Sequence, residues 1–182
     1  MNVANRNRLV LVLLLALFAA PLLVAYLLNH EGWRPQRTRN SGTLVDPPRN
    51  VTAITVMLSD DSTLVWRDPQ WHWTLLALPG KQCASVCQTR LDEALRMRLT
   101  LGRNAERLRI IYVGPQLSTE FVAARAPLLV GHDVGDALAE YRATSDDGLA
   151  LALVDPNGLL MLRYADGYSA QGLRSDIQKV LR

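Results

Sequence analysis

The chain has 182 residues, with 20 Lys and Arg against 17 Asp and Glu and a formal net charge of +3. That length suits one domain. So small a charge excess, without basic residues interleaved with aromatic ones, argues against nucleic-acid binding. No Gly-rich phosphate loop, G-x-S-x-G elbow or H-E-x-x-H pair occurs, which removes the nucleotide-binding, serine-hydrolase and zincin classes that those motifs signal.

Residues 1–8 form a short polar segment expected on the cytoplasmic side. Residues 9–28, "LVLVLLLALFAAPLLVAYLL", carry no charge. At about 1.5 Å per helical residue this run crosses the roughly 30 Å hydrocarbon core of a bilayer. Pro21 is tolerated in such a helix better than in a soluble one. A cleaved signal peptide has a shorter apolar region and ends in a small-residue site, whereas this run ends in "AYLLNHEGW". A single uncleaved transmembrane helix is therefore expected. Charge does not clearly orient it, because Arg6, Arg8 and the terminal amine precede it and Arg34, Arg37 and Arg39 follow it closely. His30 lies next to the membrane and is given no role. Residues 29–50 have no apolar period and are rich in Pro, Arg and Asn, so they are expected to be a linker. Residues 51–182 are expected to form one domain.

Within that domain, "VTAITVML" (51–58) and "STLVW" (62–66) flank "SDD" and predict a hairpin. "HWTLLAL" (72–78) predicts a strand buried on both faces. Val86, Cys87, Leu91, Ala94, Leu95 and Leu99 recur at helical steps up to a stop near Gly102. "LRIIYV" (108–113) is the next buried strand, and "GDALAEYRA" (135–143) reads as a short helix. "LALALVD" (149–155) and "LLMLRYAD" (159–166) are strands joined by the turn residues "PNG". "SAQGLRSDIQKVLR" (169–182) closes as a helix capped by Ser169. The order β-β-β-α-β-α-β-β-α predicts an α/β domain of the thioredoxin type.

Six arginines lie between positions 90 and 109: Arg90, Arg96, Arg98, Arg103, Arg107 and Arg109. They fit either a solvated helix face or a docking surface for an acidic partner or anionic lipid.

The only two cysteines are Cys83 and Cys87, in "GKQCASVCQTRL". The predicted strand-to-helix junction puts Cys83 at or before the first helical turn, where free N–H groups and the dipole stabilise a thiolate. Cys87 falls four residues on, on the same face. Both sulfurs converge as a redox couple, a disulfide or two ligands of a soft ion such as Cu(I). Two inert core cysteines remain an open alternative. His72, in "WHW", and His132, in "GHDVGD", are the weaker candidates for a further metal ligand.

"HWTLLAL…CASVCQTRL", "APLLVGHDVGDALAEYRA" and "LALALVDPNGLLMLRYADGYSAQGLRSDIQKVL" together resemble the Sco/SenC family over about residues 50–182. That resemblance implies a membrane-anchored thioredoxin-fold protein connected with copper delivery to cytochrome c oxidase. Asn40, Gly42 and Leu44 in "NSGTLVDPPRN" are similar to the lead-in of a small group of membrane proteins associated with oxidase assembly. The implied partners are oxidase subunits or other assembly factors. The implied location is a bacterial inner membrane, single-pass, with the C-terminal domain in the periplasm.

The sequence departs from the family at two places. The family's copper-ligating His, in an Asp-His pair about nine residues before the Pro of the "DP-x-G" turn, falls on Asp147, with Asp146 matching the Asp. A carboxylate is a poor Cu(I) ligand. "CASVCQ" also lacks the prolines that follow the family's cysteines. The expectation is an accessory protein of oxidase biogenesis acting by thiol–disulfide exchange or weak copper handling. Cys83 would attack and Cys87 resolve. It is expected to be no ordinary enzyme, though a thiol–disulfide oxidoreductase fits. The alternative is a non-catalytic scaffold with a structural cysteine pair, docking through Arg96 and Arg103. A peroxidase-like use of Cys83 with Ser85 and Arg90 is a third reading.

Overall fold

The computed structural model describes residues 3–30 and 40–181. The chain divides into two compact units, Met1–Arg39 and Asn40–Arg182. In the first, α1 (Val3–His30) includes the long apolar stretch and Pro21. Its 28 residues extend about 42 Å at the helical rise. Asn5–His30 has a mean hydropathy of 2.8, and its side chains are unburied. This helix is long and apolar enough to cross a membrane.

The second unit is a seven-stranded mixed sheet with the order β1-β7-β6-β3-β4-β5-β2. Its strands are β1 (Thr43–Asn50), β2 (Val56–Leu58), β3 (Trp73–Pro79), β4 (Leu108–Val113), β5 (Leu129–Asp133), β6 (Leu149–Val154) and β7 (Leu159–Tyr164). β3 runs parallel to β4 and antiparallel to β6. The helices are α2 (Ser85–Leu99), α3 (Thr119–Ala123) and α4 (Ala170–Val180).

Both faces of the central strands are covered, which explains their continuous apolar sequences. On one face Leu75, Ile110, Leu151 and Leu153 pack with Leu91 of α2 and Ile177 of α4. On the other, Leu76, Leu78, Ile111 and Val154 pack beneath Val51, Trp66 and Leu138 from the connecting segments. Arg125, just past α3, ties that corner to α2 through Asp92, at 2.6 and 3.0 Å.

Several sequence expectations change here. The 29–50 linker ends too late: residues 43–50 are β1, an edge strand paired with β7. Positions 31–39 of that linker lie outside the described residues, as does Arg182 of the last helix. Pro47 and Pro48 hid β1. Proline donates nothing to a ladder and is accommodated at an edge, here where the register shifts between Leu44 and Arg49. The 51–58 strand shrinks to Val56–Leu58. Its hairpin partner survives only as a bridge between Met57 and Thr63. The 135–143 helix is two 3-10 turns, Val134–Asp136 and Ala139–Tyr141, with Gly135 at φ 72° kinking the first. α3 and β5 were not foreseen. α2 ends at Leu99, just before Gly102 at φ 58°. Ser169 does cap α4, its hydroxyl accepting from the Gly172 N–H at 3.3 Å.

Candidate functional site

β3 ends at Pro79 and α2 begins at Ser85, so residues 80–84 carry the chain from the C-terminal end of this central strand to the helix N-terminus. Cys83 and Cys87 are joined by a disulfide, with Cα atoms 4.9 Å apart. Cys87 lies in the first turn of α2 and is fully buried in the helix-side core. Cys83, just outside the helix, is half-buried. Cys83 is thus the more exposed residue of the pair and Cys87 the buried one. The sequence expectation that the two sulfurs converge at the head of the helix holds.

The 144–148 loop leads into β6 and lies against this corner. The Gly80 N–H donates to the Gly148 carbonyl at 3.2 Å, and the Gln82 N–H to the Asp146 carbonyl at 3.0 Å. A side chain at Gly80 has no room, since its Cβ would lie 2.1 Å from the Ser145 carbonyl oxygen. Asp166 holds the far side of the loop, accepting from the Ser145 N–H at 3.0 Å and its hydroxyl at 2.6 Å.

This loop delivers Asp147 to the head of α2. The first turn of α2 has no acidic residue, and Ala84 at its N-cap offers no side-chain acceptor. Asp147 supplies both needs. Its Oδ1 accepts from the N–H of Ala84 at 2.6 Å and of Cys87 at 3.3 Å, and its Oδ2 from the N–H of Val86 at 3.0 Å. Desolvation pushes this carboxyl up. The three N–H donors outweigh it and hold the group below the usual carboxylate range. The sequence placed an acid at 147 but read it only as a missing histidine. Its spacing from the cysteines, about 60 residues, gave no sign of a cap.

The other candidate ligands are not brought to the sulfurs. His72 precedes β3, at the opposite end of a seven-residue strand and about 20 Å from the cysteine corner. Its ring Nδ1 lies 2.8 Å from Asp68 Oδ2. His132, in β5, lines a cleft of about 640 Å³ with Gly80, Lys81, Arg142 and Asp146, and neither cysteine lines that cleft. Among the described residues no group of three or more His, Cys, Asp or Glu side chains is arranged to hold a metal. With both Asp147 oxygens taken by backbone N–H groups, that carboxylate offers no third ligand beside the two sulfurs. Arg90 pairs with Glu93 at 2.8 Å and stacks over Tyr168, 5.6 Å from the ring centre, rather than serving a peroxidatic sulfur.

The arginine run also resolves. Arg98 donates to the Leu108 carbonyl at 2.6 Å and Arg107 to the Leu181 carbonyl at 2.7 Å. Arg109 donates to Thr74 Oγ1 at 2.6 Å and faces Asp68 at 3.3 Å. These three brace the fold, while Arg96 and Arg103 are exposed.

A parallel β3-β4 pair flanked by the antiparallel β6-β7 hairpin, with a cysteine pair where β3 meets α2, defines a thioredoxin-like protein. The chain belongs to the family described as transmembrane-like, thioredoxin-like, C-terminal domain, whose model matches residues 73–182. No curated protein matches the chain. Among solved structures it is similar to yeast Sco1 with copper bound, at 12% identity and a TM-score of 0.53, covering 80% of this chain and 94% of that one. It is similar to apo Sco1 from Thermus thermophilus, at 17% identity and a TM-score of 0.51, covering 80% and 99%. A putative thiol:disulfide interchange protein DsbE from Chlorobium tepidum matches at 15% identity and a TM-score of 0.52, covering 80% and 100%. At these identities the likeness is one of fold.

Proposed function

We propose that this chain is a membrane-anchored thiol–disulfide exchange protein of cytochrome c oxidase assembly. Its thioredoxin-like domain would stand in the periplasm of a bacterial inner membrane. The observation that carries the reading is the asymmetric Cys83–Cys87 disulfide, with Cys83 half-buried before α2 and Cys87 fully buried within it. The chemistry supports this compartment, since disulfides persist in the periplasm and are rare in the cytosol. In the exchange, the Cys83 thiolate attacks a partner disulfide and releases one partner thiol. Cys87 then attacks the mixed disulfide, re-forming the Cys83–Cys87 bond and freeing the second partner thiol. Two electrons and two protons pass to the partner. The partners are oxidase subunits or other assembly factors, and no step is routed through copper.

The test is trapping in native membranes. A Cys87→Ser chain is expected to accumulate a mixed disulfide with a protein partner through Cys83, and Cys83→Ser none. Normal oxidase activity with the double serine variant, and no trapped partner, would leave the pair structural and the domain a scaffold.

A further inference from the structure

In the helix-head arrangement that activates a thiol, the free N–H groups face the outer sulfur and stabilise its thiolate. Here three N–H groups at the head of α2 are already committed. Asp147 accepts from the N–H groups of Ala84, Val86 and Cys87, which lie after Cys83 and up to the second cysteine itself, at 2.6, 3.0 and 3.3 Å. A full negative charge thus sits where a Cys83 thiolate would draw its stabilisation.

We infer that Asp147 is a positioning residue that sets the direction of electron flow. By occupying the helix head it withholds stabilisation from the dithiol/thiolate form and favours the disulfide, which makes the reduced pair a strong reductant. A couple whose reduced form is stabilised is an oxidant; this site is built the opposite way. The substrate class is therefore a partner disulfide to be reduced to two thiols, with this pair ending as the Cys83–Cys87 disulfide. Regeneration requires a dithiol donor of still lower potential.

This inference rests on the exchange reading above, but its test is separate. The equilibrium of the full-length chain in detergent with reduced and oxidised dithiothreitol is measured for the native chain, Asp147→Asn, Asp147→Ala and Asp146→Asn. Asp146 is exposed, forms an ion pair with Lys81 at 3.0 Å and makes no side-chain bond to α2. Asp146→Asn therefore controls for loss of one charge from the same loop. Both Asp147 variants are expected to shift the equilibrium roughly tenfold toward the dithiol, about 30 mV for a two-electron couple. They should also speed alkylation of the reduced Cys83 at neutral pH, while Asp146→Asn shifts the equilibrium by less than threefold. Far-UV circular dichroism checks that each variant is folded. An unchanged or lower potential in a folded Asp147→Asn chain, or an equal shift in Asp146→Asn, overturns the inference. A shifted potential without any trapped partner in membranes would instead count against the exchange reading alone.

Discussion

Reducing the native chain separates a working cysteine pair from a structural one. The Cys83–Cys87 bond closes a loop of only about five residues. The chain-entropy relation gives roughly 2 kcal/mol for so short a loop, against about 4.7 kcal/mol for one of 100 residues. The two cores beside it are far larger contributors, since each fully buried Leu such as Leu75, Leu91 or Leu151 contributes about 1.5–3 kcal/mol. Reduction is therefore expected to leave the fold intact and lower its stability by about 2 kcal/mol. With a urea slope near 2 kcal/mol/M, the midpoint falls by about 1 M. The assay is urea unfolding of the detergent-solubilised chain with and without dithiothreitol, read by tryptophan fluorescence. Trp66 is only 5% exposed and so reports on loss of packing. If the reduced chain shows no cooperative transition at all, the disulfide holds the fold together and the exchange account fails.

Three further outcomes follow from particular contacts. Asp176 of α4 is buried, and it accepts from the Ser41 and Gly42 N–H groups at 2.7 and 3.0 Å and from Lys179 at 2.9 Å. Asp176→Ala leaves the Ser41 and Gly42 N–H groups without this acceptor and should cost about 1–3 kcal/mol in urea unfolding. Desolvation raises this carboxyl, but its donors prevail and hold it low. The stability it contributes is therefore present above the unfolded value near pH 4 and lost as pH falls through the folded one, so the native and variant curves should converge in acid. Leu151→Ala, in the centre of the sheet, should cost about 2–5 kcal/mol while leaving the Cys83–Cys87 equilibrium unchanged in the folded chain. A changed equilibrium would mean that the core, not the loop, tunes the pair. Cu(I) added to the reduced chain should bind without a tight one-to-one endpoint, because only two soft ligands converge. A sharp stoichiometric endpoint lost in both Cys83→Ser and Cys87→Ser would restore a copper site.

The central fold was legible because its signals are local. β3, β4 and β6 are apolar runs buried on both faces, β7 alternates buried and half-buried residues, and α2 and α4 keep a helical period. β1 and β5 escaped notice for different reasons. β1 is an exposed edge interrupted by Pro47 and Pro48, and β5 is short, alternates poorly and is stabilised by neighbours distant in sequence. The site was half legible. The helix head and paired sulfurs can be read from spacing, but the Asp147 cap joins residues about 60 positions apart, and only the packing of the 144–148 loop on residues 80–82 creates it. The arginine run misled because charge alone does not reveal that Arg98, Arg107 and Arg109 turn back onto carbonyls and Thr74.

The most direct measurement is the redox state of Cys83 and Cys87 in native membranes, read by maleimide mass shift after acid quenching across a series of dithiothreitol ratios. The expected result is a reversible two-electron transition of the folded chain, with Cys83 alkylated before the buried Cys87. A pair that stays oxidised until the chain unfolds, or two thiols that alkylate together only on denaturation, would contradict the account.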